Sequence, residues 1–153
     1  MENLKFDFVF LGQSILKYQV PLDIFSTINR IYEQNFYNLA PANGQLVGKI
    51  ENEHSLFYHG ADQTKMKNHN MLPRNVTDYF MNIFKHYLAF NKIKDYETHL
   101  NSIWVNEMKQ HEYNPAHVHR GMLFTGLSSV MILKLPSTFG KEYSADEVKQ
   151  NGR

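Results

Sequence analysis

Apolar positions along the chain recur first at the period of a strand, then at that of a helix, and the two periods go on trading places. Phe6, Phe8 and Phe10 alternate with Asp7 and Val9, which predicts a short strand over 6–11. Gln19-Val20-Pro21-Leu22-Asp23 opens a helix, with Pro21 near a first turn where its missing N–H costs nothing. Ile24, Phe25, Ile28, Ile31 and Tyr32 then share one helical face, and the pattern stops near 38–41. Pro41-Ala42-Asn43-Gly44 signals a turn. Residues 45–51 read as a strand with Leu46, Gly48 and Ile50 on one side and Val47 and Lys49 on the other. Residues 55–58 are a weaker strand candidate, and 60–70 are polar enough for a loop. The strongest helix runs over 73–91, where Val76, Tyr79, Phe80, Ile83, Phe84, Tyr87 and Leu88 form a stripe to be buried as core.

From Thr98 onward the period becomes that of strands. Residues 100–108 contain Ile103, Trp104 and Val105, and 125–135 contain Leu127, Val130, Met131, Ile132, Leu133 and Leu135 before Pro136 ends the run. The polar stretch 110–119 between them turns at Asn114-Pro115, and the tail 137–153 predicts no element. Helices first and a sheet afterwards give an α+β class. Two N-terminal helices would pack on one face of an antiparallel sheet within a single domain over 1–153.

Composition narrows the chemistry. With 42% apolar and 14% aromatic residues, the 153-residue chain can bury a core. A net charge of +1, with no run of Lys or Arg, provides no footprint for nucleic acid. No stretch approaches the roughly 20 apolar residues of a bilayer span, and the N-terminus has no signal-peptide pattern. A soluble, cytoplasmic protein is expected, with oligomerisation left open. There is no cysteine, so any metal is held by imidazole and oxygen, which suits iron, manganese, nickel or zinc.

Of the eight histidines, His54, His59, His69 and His86 stand in loops or on a helix surface, without partners at ligand spacing. His99 and His111 flank a more informative segment. In it, His117 and His119 lie two apart, and on an extended backbone such residues point to one face and can converge on one metal.

The setting of that pair carries a resemblance. Ser102-Ile103-Trp104-Val105-Asn106, Tyr113-Asn114-Pro115-Ala116-His117-Val118-His119 and Ser128-Ser129-Val130-Met131-Ile132-Leu133-Lys134-Leu135-Pro136 together resemble the 2-oxoglutarate- and Fe(II)-dependent oxygenases of bacterial and phage genomes, relatives of the prolyl 4-hydroxylases. The match covers about 100–136, and Gln45-Leu46-Val47-Gly48-Lys49-Ile50 suits it less specifically. The resemblance implies a double-stranded β-helix, or jelly-roll, with strands mainly over 99–153. It implies Fe(II) held by two His and a carboxylate, with open positions for 2-oxoglutarate and oxygen. His117 matches the first ligand. His119 stands where most of the superfamily has Asp or Glu, so it is either a ligand or a neighbour of the ligands. Trp104, Asn106, Tyr113 and Asn114 are the pocket candidates, although Trp104 also suits plain core packing.

The family's distal His and the basic residue that pairs with 2-oxoglutarate have no counterpart after Pro136 other than the terminal Arg153. The expectation is therefore an N-terminal part of an oxygenase, or a degenerate copy, with an incomplete jelly-roll. Two alternatives stand beside it. One is a non-catalytic phage or bacterial binding or structural domain. The other is a cupin-type metal protein, whose usual Glu shortly after the His pair is missing from 120–126. The substrate is not legible.

Overall fold

The structure is a computed structural model that describes residues 4–10, 14–45, 48–59, 70–117 and 126–137. Among the described residues the fold is mixed α and β, with two helices and two small antiparallel sheets. The first sheet is a hairpin of β1 (Phe6–Phe10) and β2 (Ser14–Tyr18), paired from Phe6 against Tyr18 to Phe10 against Ser14. The second has the order β3 (Ala40–Pro41), β4 (Asn52–Tyr58), β5 (Ser102–Glu107). Helix α1 (Leu22–Asn35) lies between the sheets in sequence, and α2 (Arg74–Phe90) between β4 and β5. Helices and strands thus interleave, where the sequence pattern put both helices ahead of the main sheet.

Both helices begin directly after a proline in extended conformation, Pro21 and Pro73. A proline has no N–H to lose at a helix start, and its fixed φ directs the chain into the first turn. Helix α1 closes into a short 3-10 turn, Phe36–Asn38. Helix α2 closes with Lys92 at φ 58°, donating from Lys92 N to Ala89 O (3.0 Å) and from Ile93 N to Leu88 O (2.9 Å). Those two bonds satisfy carbonyls that the helix end leaves over, with lysine where glycine is usual.

The core lies between the helices and one face of the second sheet. Ile24, Ile28 and Ile31 of α1, Val76, Phe80 and Ile83 of α2, Leu39 and Leu56 form one buried cluster, and Ile103 and Val105 of β5 pack against it. These helical positions are the ones the period picked out. Leu56 is fully buried at a register shift between Ser55 and Phe57, where β4 carries an extra residue against β5.

Three predicted strands turn out differently. Of 45–51, the described residues carry no strand: Asn43–Gln45 is a 3-10 turn and Lys49 makes an isolated bridge to Tyr113, while 46–47 lie outside the described residues. The longest strand is β4, of which 55–58 was only the end. Of the apolar run 125–135, the described residues 126–135 carry no ladder bonds that define a strand, although Met131 and Leu133 pack against the core while Val130 and Ile132 stay exposed. The period of two is present there, but a strand also needs a hydrogen-bonded neighbour. β2 was missed altogether. Residues 60–69 of the predicted loop and 138–153 of the predicted tail, over which the jelly-roll strands were expected to continue, lie outside the described residues.

Candidate functional site

After β5 the chain turns at Lys109–Glu112, where Glu112 N donates to Lys109 O (3.1 Å) and His111 sits at φ 68°. The Glu112 carboxylate closes the turn by accepting from Lys109 N (2.7 Å). It also reaches across to accept from Glu51 N (2.9 Å). Lys109 Nζ meets Glu51 Oε2 at 2.8 Å. The Lys109 and Glu51 backbone N–H groups hold the Glu112 carboxyl below the usual carboxylate range, while the bond to Glu51 pushes the Lys109 ammonium up.

The next residue continues this seam. Lys49 N donates to Tyr113 O (2.8 Å) and Tyr113 N to Lys49 O (3.1 Å). At Gly48 the approach is so close that a Cβ would collide with Tyr113 O and stand 2.8 Å from Asn114 Cα and 2.9 Å from Pro115 Cδ. A cleft of about 510 Å3 runs along the seam, lined by Asn43 and residues 48–51 and 109–112.

His117 follows directly. Its Nδ1 lies 2.7 Å from Pro115 O. A carbonyl oxygen can only accept, so Nδ1 is the donor, and in the neutral ring the lone pair stands on Nε2. His119, the second predicted ligand, lies outside the described residues. Among the described residues no group of three His, Cys, Asp or Glu is placed to hold a metal ion.

The four pocket candidates fall into two sets. Tyr113 and Asn114 lie on the turn leading to His117. Tyr113 is exposed, and the Asn114 Oδ1 is buried without a hydrogen-bond partner among the described residues. Trp104 and Asn106 lie on β5 and pair in register with Ser55 and Glu53 of β4. Cross-strand pairs share a face, and the core-packed Ile103 and Val105 alternate with these residues. Trp104 and Asn106 therefore point away from the helices, and Trp104 is 37% exposed instead of packed in the core. Glu53 and Ser55, buried polar residues of that same face, were not singled out in the sequence, where 55–58 read only as a weak strand candidate.

The comparisons add no relative. No family model matches the chain, and no curated protein or solved structure matches it. No described helix is long and apolar enough to cross a membrane.

Three other histidines have ring or side-chain neighbours. The His59 and His99 rings lie 5.6 Å apart, and His99 Nε2 is 3.3 Å from Glu97 Oε1. Their approach depends on the β4–β5 register, which spacing along the chain does not reveal. His54 lies against Phe36 and Tyr32, with ring centroids 4.8 and 6.2 Å away.

Proposed function

We propose that this chain is a 2-oxoglutarate- and Fe(II)-dependent oxygenase-like protein, with His117 and His119 as metal ligands. In this reading the β3–β4–β5 sheet is part of a jelly-roll, the helices cover its outer face, and Trp104, Asn106, Tyr113 and Asn114 border the pocket. The observation that carries the reading is the bond from His117 Nδ1 to Pro115 O. It fixes the ring tautomer and orientation, as carbonyl partners do for ligating histidines. The bound group would supply the oxidation: one oxygen atom of O2 enters a C–H bond of the substrate, and the other enters succinate as 2-oxoglutarate loses CO2. The chain's own part is to present an imidazole oriented by its bond to Pro115 O. The cysteine-free composition suits the reducing cytoplasm in which Fe(II) persists.

The test is metal content after anaerobic loading with Fe(II) and 2-oxoglutarate, with succinate formation measured once O2 is admitted. The wild-type protein should retain iron that the His117→Ala variant loses. Equal iron in both would remove His117 from the site.

A further inference from the structure

The segment that bears His117 is held by backbone contacts to a stretch over sixty residues earlier in the chain. Four observations converge on that contact. Lys49 and Tyr113 exchange both backbone hydrogen bonds, at 2.8 and 3.1 Å. Glu112 bonds Glu51 N through one carboxylate oxygen and Lys109 N through the other. Lys109 Nζ adds an ion pair with Glu51 Oε2 at 2.8 Å. Gly48 leaves no room for a side chain, and the atoms a Cβ would strike are the Tyr113 carbonyl, the Asn114 backbone and the Pro115 ring. No positive φ is recorded for Gly48, so the glycine is required by proximity and not by an unusual backbone angle.

We infer that residues 48–51 form a backbone cradle that sets the place and tautomer of His117, with Gly48 as the positioning residue. The step from cradle to His117 is short. Pro115, whose ring a Cβ at position 48 would strike, supplies the carbonyl that accepts from His117 Nδ1. A Cβ at position 48 cannot be relieved by rotating a flexible side chain, because its nearest contacts are backbone atoms and a ring. The 113–115 backbone must move instead, and Pro115 O moves with it. The functional part of the inference rests on reading His117 as a metal ligand. The tautomer lock stands apart from that reading.

The experiment is 15N NMR of the histidine rings in the full chain, free and titrated with Zn(II) as a redox-silent probe. In the wild-type protein, His117 should show a single tautomer with the proton on Nδ1, and its Nε2 signal should shift as Zn(II) is added. In Gly48→Ala the ring should become a mixture of tautomers, and Zn(II) affinity at His117 should fall by about tenfold or more, the usual cost of losing a ligand's outer support. Glu112→Gln introduces no clash. It replaces one acceptor oxygen with a donor NH2 facing a backbone N–H, and it should act in the same direction to a smaller extent. If Gly48→Ala does not fold, Glu112→Gln decides the matter by the same two signals. An unchanged tautomer and unchanged Zn(II) affinity in the folded variants would overturn the cradle. A wild-type His117 whose Nε2 ignores Zn(II) would instead overturn the metal reading, and the tautomer comparison would still judge the cradle.

Discussion

His54 shows what one polar residue does on the wrong side of a sheet. It pairs in register with Val105, so it faces the helices, and its ring lies against Phe36 and Tyr32. Its Nδ1 is buried without a partner among the described residues. Burial pushes its pKa below the ordinary 6.5, and the nearby Glu107 opposes that only in part. The folded chain therefore takes up this proton less readily than the unfolded chain does. The resulting stability is complete above pH 6.5 and falls as pH drops from there through the folded value. The urea midpoint should decline between pH 7.5 and 5.5 in the wild-type protein and decline less in His54→Phe, which keeps the ring and removes the proton site. Parallel declines would show that His54 is not responsible. At the other end of the scale, Tyr32 is pushed up to about 12 by burial first and by Glu107 second, so alkali acts on the same interface.

At the level of elements, helices were legible and strands only partly so. The buried residues of α1 and α2 lie on the stripes that a period of 3.6 predicts, because a helix carries all its backbone bonds within itself. A strand's bonds go to another segment, and the sequence does not say which. β4 hid because Asn52, Glu53 and Ser55 are polar, yet Glu53 and Ser55 are buried by what lies over them. β2 hid because its inward positions are Ser14, Leu16 and Tyr18, with Ile15 pointing outward. Ser14 is nonetheless the hairpin's anchor. Its hydroxyl bonds Asn91 and Tyr87, and its carbonyl accepts from Tyr87 OH at 2.9 Å. Ser14→Ala should cost about 1–2 kcal/mol, since Asn91 Oδ1 loses a buried donor. Hydrogen exchange should show the loss as faster opening of β1 and β2, with α1 unchanged. Uniform loosening of the whole chain would mean that the hairpin is no separate unit. For the candidate site, His117 could be singled out from spacing and resemblance. The cradle could not, because Gly48, Glu51 and Glu112 act through backbone proximity across the fold.

The whole molecule presents an uneven surface. Val130 is 87% exposed and Ile132 58%, on the side of their segment opposite the core-packed Met131 and Leu133. A stretch that is apolar on both sides and exposed on one invites association with another chain. Ile132→Lys should lower concentration-dependent light scattering while leaving the melting temperature within a few degrees, because the position contributes little to the core. Scattering equal to that of the wild-type protein would place any self-association elsewhere on the surface.

The hairpin's attachment also bears on the order in which the chain assembles. Tyr18 meets Ile83 and His86, and Ser14 meets Tyr87 and Asn91, across sequence separations of 65 to 77 residues. The rings of Phe6 and Phe8 meet Phe90 in the same place, one edge-on and the other tilted. A two-stranded hairpin is marginal on its own in water, and closing so long a loop is costly until the far side is in place. The hairpin is therefore secured only once α2 has formed and come to meet it.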